Sequence, residues 1–69
     1  MEYTFNLIRK YPRYEISKEG ILRDVTTQKQ LPQINTAEGA MVILRQDGRL
    51  RFVSIIQLVV ETYLDMWYQ

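Results

Sequence analysis

The sequence predicts a small α+β domain: two β-hairpins form one antiparallel sheet, and a C-terminal α-helix packs across it. Three stretches carry this reading. Asp47-Gly48, set between the β-rich runs MVILRQ and RLRFV, is the strongest hairpin signal in the chain. Tyr14 to Ser17 and the run ILRDVT flank Lys-Glu-Gly, where Gly20 can take the positive φ of a tight turn. The stretch VSIIQL supplies Ser54 as a helix N-cap, Gln57 three residues on, and Val53 and Leu58 in the two staple positions.

The elements follow in order. TFNLIRKYPRY alternates loosely, and its Tyr-Pro breaks any helix there. The first hairpin then places Tyr14 and Ile16 on one face, with Glu15 and Ser17 on the other. The polar stretch TTQKQLPQINT reads as a long connection. A two-residue turn at Asp47-Gly48 fixes the second register. It pairs Gln46 with Arg49, Arg45 with Leu50, Leu44 with Arg51, Ile43 with Phe52 and Val42 with Val53. Opposed side chains share a face, so Val42, Leu44 and Val53 lie together and Ile43, Leu50 and Phe52 lie on the reverse. Both faces are partly apolar, yet one helix can cover only one of them.

From Ser54 onward, Gln57, Glu61, Asp65 and Tyr68 cluster on one side of the helix, joined by Thr62 and Gln69. Ile55, Ile56, Val59, Val60, Tyr63, Leu64, Met66 and Trp67 fill an opposite arc, broader than the ~100° stripe a core-facing helix needs. Ile56 stands in the middle of that arc and is expected in the core. The reading is thus one domain over residues 1–69, with an N-terminal segment 1–13, a sheet 14–53 and a helix 54–68.

Composition narrows the function. A chain of 69 residues with 46% hydrophobic and 25% charged residues is ordinary for a soluble globular domain. Cys and His are both absent, which excludes disulfides and thiolate or imidazole metal sites, and no carboxylate cluster suggests an oxygen-ligated metal. No cofactor is expected. No stretch approaches a membrane span and MEYTFNLIRK lacks the order of a signal peptide, so the expected location is cytoplasmic. The helix carries Glu61 and Asp65 and no basic residue; the rest of the chain holds all nine Lys and Arg against six acids. A polyanion would meet strands and loops, not the helix.

The order of these pieces resembles a known family. YEISKEGILRD, then a strand pair around an Asp-Gly turn, then SIIQLVVETY is similar to the nuclease-associated modular DNA-binding motif, class four of the NUMOD series, which accompanies HNH homing endonucleases, often phage-borne. The family pattern meets Tyr14, Glu15, Ile16, Ser17, Gly20, Arg23, Leu58, Val59, Glu61, Thr62 and Tyr63, over roughly residues 5 to 64. Three departures stand out. The family's His falls at Ile56 and its following Arg at Gln57, and the Gly-Tyr-x-x-Val element is reduced to Gly39-Ala40-Met41-Val42. Loss of an Arg at Gln57, on the polar arc, would remove a phosphate contact. There is no His-Asn-His motif, so the resemblance implies a free-standing module of phage or mobile-element type, without the nuclease.

Two functions follow. In the first, a non-enzymatic accessory protein binds DNA through a basic β-hairpin, with Arg45, Arg49 and Arg51 as phosphate contacts, Arg23 on a neighbouring strand, and Arg9, Lys10 and Arg13 extending the positive region. The bland alternative is a solvated hairpin whose charges protect an edge strand. In the second, a phage-type interaction module inhibits a host defence or transcription complex. It would act through Ile43, Leu50 and Phe52 with Leu64, Met66 and Trp67, the same surface serving a second copy of the chain. Here the alternatives are that Phe5, Leu7 and Ile8 cover the hairpin face, and that Trp67 folds back on the core. Glu61 and Asp65, four residues apart on a solvent face with no nucleophile nearby, do not make an acid–base pair, and no enzyme is expected.

Overall fold

The computed structural model describes residues 3–67, with side chains to residue 64. It is an α+β fold of six strands and one helix, in the order β1 (Phe5–Ile8), β2 (Tyr11–Ser17), β3 (Leu22–Asp24), β4 (Ile34–Thr36), β5 (Gly39–Gln46), β6 (Arg49–Ser54) and α1 (Ile55–Trp67). The strands make two antiparallel sheets, β1-β2-β3 and β4-β5-β6, where the sequence suggested a single sheet of two hairpins. Each expected hairpin has gained a third strand.

In the first sheet, β2 pairs with β3 around Gly20, whose φ is 86°. β1 joins on the other edge, pairing Phe5 with Ser17 and Leu7 with Glu15 before the register jumps to Ile8 with Tyr11. Pro12 falls inside that jump, at residues with no ladder partner on β1, which is how a central strand tolerates a residue without an N–H donor. In the second sheet, β4 arises from the polar stretch read as a connection; it pairs Ile34 with Met41 and is a short edge strand. β5 and β6 pair from Gln46↔Arg49 to Met41↔Ser54, and Asp47 and Gly48 both take positive φ (52° and 77°), as a type I′ turn requires.

The inner faces of both sheets and one side of the helix share a single core of Ile8, Tyr14, Ile16, Leu22, Val42, Leu44, Ile55 and Leu58, with Val53, Val59 and Tyr63 packed against it. The helix therefore covers the Val42–Leu44–Val53 face. Its start is as expected: the Gln57 N–H donates to Ser54 Oγ at 3.3 Å. The capping box is only half formed, because the Gln57 amide turns away and donates to Glu61 at 3.0 Å.

The helix is rotated from the expected setting. Ile56, placed in the core from the sequence, is 68% exposed, while Leu58 is buried and Thr62 half-buried. The cause lies in the first sheet. Tyr63 Oη donates to the buried Ile16 carbonyl at 2.8 Å and accepts from Asn6 Nδ2 at 3.2 Å, which sets Tyr63 toward the edge of the buried arc. Ile55, Leu58 and Val59 then face the core, and Ile56, Val60 and Leu64 form an exposed apolar stripe.

Candidate nucleic-acid interface

The β5–β6 hairpin displays its arginines on both sides of a two-stranded ribbon. Arg49 lies opposite Gln46 and Arg51 opposite Leu44, on the face that farther along carries Val42 and Val53 into the core. Arg45 lies opposite Leu50 on the reverse face. All three are exposed, and among the described residues none of their side chains makes an ion pair or hydrogen bond. Asp47, at the turn, is the one acid between Gly39 and Ser54.

Two hydrogen bonds fix this ribbon against the first sheet. The Arg45 backbone N–H donates to Tyr14 Oη at 3.1 Å, and Gln46 Nε2 donates to the Lys10 carbonyl at 2.8 Å. The β1–β2 turn is thereby held beside the β5–β6 hairpin end. Lys10 in turn reaches Glu61 on the helix, Nζ to Oε2 3.4 Å. The amide of Gln57 holds the Glu61 carboxyl below its ordinary range; burial opposes this and Lys10 adds to it. The sequence marked Lys10 only as part of a positive region and did not single out Tyr14 or Gln46 as supports. Gln46's place beside the turn was the available signal.

Arg23 and Arg13 are engaged elsewhere. Arg23, on β3 of the first sheet, pairs with Glu15 and stacks its guanidinium over the Phe5 ring, 3.7 Å from the centroid. Arg13 pairs with Asp24, whose carboxylate also accepts from the Thr26 and Thr27 N–H groups at 2.8 and 3.0 Å. These bonds, the Thr27 amide foremost, hold Asp24 below the ordinary carboxylate range against the cost of its burial. Arg23 thus sits on a different sheet from the hairpin arginines and is already paired.

The apolar candidates fall into two exposed groups. Ile43, Leu50 and Phe52 share the reverse face of the second sheet, Leu50 with 67% of its surface exposed, and Ile34 and Met41 extend that face. The N-terminal segment does not cover them, since Ile8 is in the core and Phe5 lies against Arg23. Leu64 is exposed at the end of the helical stripe; the side chains of Met66 and Trp67 lie outside the described residues. Among the described residues no group of acids could hold a metal ion, and no helix is long and apolar enough to cross a membrane.

No protein-family model matches the chain, and no curated protein matches it. Among solved structures, the fold matches part of one described as DNA binding and cleavage by the HNH homing endonuclease I-HmuI. The TM-score is 0.74 and the identity 22%, over 88% of this chain and 35% of that one. The likeness is one of fold. This chain spans about a third of that protein's length.

Proposed function

We propose that this chain is a non-enzymatic nucleic-acid-binding domain of the kind that accompanies HNH homing endonucleases, and that it meets phosphates through Arg45, Arg49 and Arg51. The observation that carries this reading is the hairpin itself: three exposed arginines whose side chains meet no partner among the described residues, on both faces of one ribbon. A two-stranded ribbon fits the major groove of a duplex, and cations on both faces reach both walls of that groove. Leu50 and Phe52, beside Arg45, offer apolar contact of the kind that meets a thymine methyl group. Arg23 contributes charge at the margin, its guanidinium already held by Glu15. The NUMOD resemblance and the shared fold support the same reading; a phage or mobile-element origin is what the resemblance alone implies. The test is a low-salt titration of labelled mixed duplex and single-stranded DNA followed by anisotropy. Binding in the tens of micromolar or tighter, lost in the Arg45→Ala/Arg49→Ala/Arg51→Ala variant, supports it; no binding to either DNA refutes it.

One observation favours a second reading, a protein-interaction module. Ile43, Leu50 and Phe52 form an exposed apolar face on one sheet, and such faces mark interaction sites. The partner would be a host protein complex, as an inhibitor requires, or a second copy of the chain. Sedimentation over a range of concentrations, with Phe52→Ser for comparison, separates a self-associating face from one that awaits a foreign partner.

A further inference from the structure

The basic surface does not stop at the β5–β6 hairpin. We propose that the β1–β2 turn is a second phosphate-contacting element, with Lys10 as its cation, Gln46 as the residue that positions it, and Glu61 as a counter-charge that a polyanion displaces. This rests on the nucleic-acid reading above and extends its footprint to a second strand turn.

Gln46 and Arg49 flank the two-residue turn at the end of the β5–β6 hairpin. These residues face each other across the ladder and share a face, so they stand side by side at the hairpin end. The Gln46 side chain spends its amide on the Lys10 carbonyl at 2.8 Å. Lys10 is therefore tied, through one side chain and one ladder spacing, to the position of Arg49. The Tyr14 bond to the Arg45 N–H is a second tie between the same two elements, and it comes from the strand that Lys10's turn leads into. Two hydrogen bonds between separate sheets at one end of the molecule keep the two turns in a fixed relation, and a fixed relation is what repeated phosphates along one backbone require.

Lys10 is available for that contact. Its side chain is 68% exposed although it lies 3.4 Å from Glu61, itself 38% exposed. Exposed pairs of this kind are weak and screened by salt, and a phosphate offers the ammonium a stronger acceptor. Glu61 keeps its own second partner, the Gln57 amide, so it is not left bare when Lys10 turns away. Among the described residues, the Lys10 ammonium meets the Glu61 carboxylate, which the Gln57 amide also holds, while the Gln46 amide from the second sheet holds the Lys10 backbone carbonyl.

The test measures duplex affinity by anisotropy across a salt series for the wild type, Lys10→Ala, Lys10→Arg, Glu61→Gln and Arg49→Ala, each checked for an unchanged melt. Loss of one phosphate contact should flatten the log–log salt slope by about 0.9. Lys10→Ala is expected to flatten it by that amount, Lys10→Arg to restore it, and Glu61→Gln to tighten low-salt binding by roughly 2- to 5-fold, the scale of one weak exposed pair. If Arg49→Ala flattens the slope while Lys10→Ala leaves it at the wild-type value, the second element is refuted and the hairpin reading stands. If Lys10→Ala flattens it but Glu61→Gln does not tighten binding, the counter-charge role of Glu61 is refuted. Wild-type protein that binds no duplex at low salt overturns the hairpin reading and this inference with it.

Discussion

Removing a single oxygen, in Tyr63→Phe, should destabilise the whole domain. Tyr63 Oη joins the helix to both neighbouring strands of the first sheet: it donates to the Ile16 carbonyl at 2.8 Å and accepts from Asn6 Nδ2 at 3.2 Å. Ile16 is fully buried, so no water replaces the lost donor at its carbonyl. The phenylalanine ring fills the same space, which leaves the packing against the core intact. A typical net hydrogen bond contributes about 1 kcal/mol, and a buried acceptor left short of its donor costs about 1–3 kcal/mol; the two contacts together give about 1–2 kcal/mol, since the Asn6 amide can turn to solvent. For a domain of this size each kcal/mol shifts the melting temperature by about 4–8 °C, so a fall of roughly 5–15 °C is expected. Thermal unfolding followed by far-UV circular dichroism measures it, and urea unfolding should show a lower midpoint with an unchanged slope. Asn6→Ala should lower the melt less than Tyr63→Phe, and the double variant should show less than the sum of the two. A Tyr63→Phe melt within a degree of wild type would refute the claim that this hydroxyl sets the rotation of the helix.

Three further outcomes follow from other parts of the fold. Ser54→Ala removes the acceptor for the Gln57 N–H and should cost about 1 kcal/mol, read as a lower melting temperature; an unchanged melt would mean the cap contributes nothing. Gly20→Ala forces a side chain into φ 86° and sets its Cβ 3.0 Å from Ile55 Cγ2, so it should cost about 1–2 kcal/mol for the backbone alone, measured by urea unfolding. Asp24 is held below its ordinary value of 3.8, so its contribution is fully present above that pH and is lost as pH falls through the lower folded value. Wild-type stability should therefore fall below pH 3.8, and Asp24→Asn should melt lower at neutral pH and flatten that acid limb; parallel pH profiles for the two would contradict the assignment.

The legible parts of this fold are those specified by short-range chemistry. Asp47-Gly48 dictated a two-residue turn, and with it all five cross-strand pairs from Gln46↔Arg49 to Val42↔Val53. Gly20 and Ser54 likewise announced a turn and a cap that the structure contains. Two strands were hidden for physical reasons. β1 meets β2 through the Arg9-Lys10 turn, which has neither Gly nor Asn, and Pro12 broke the alternation that would have revealed the pairing; only the irregular register accommodates it. β4 is three residues of Ile34, Asn35 and Thr36, too short and too polar to stand out from the surrounding connection. The helix misled for a different reason. Its apolar arc was wider than its contact face, and periodicity cannot choose which part of a wide arc faces inward; the Tyr63 hydroxyl does, through Ile16 and Asn6. At the candidate interface the arginines were visible as charges, but not the partners that divide them. Glu15 engages Arg23 and Asp24 engages Arg13, while Arg45, Arg49 and Arg51 meet no acid among the described residues.

Whether the hairpin meets phosphates through Arg49 and Arg51 is decided by the salt dependence of duplex binding for the wild type and for Arg49→Ala/Arg51→Ala. Each phosphate neutralised on duplex DNA contributes a log–log slope of roughly −0.9, so the double variant should lose about two units of slope while keeping the wild-type melt. A wild-type protein that binds no duplex at low salt, or a double variant whose slope equals that of the wild type, would contradict the reading of this hairpin as a nucleic-acid interface.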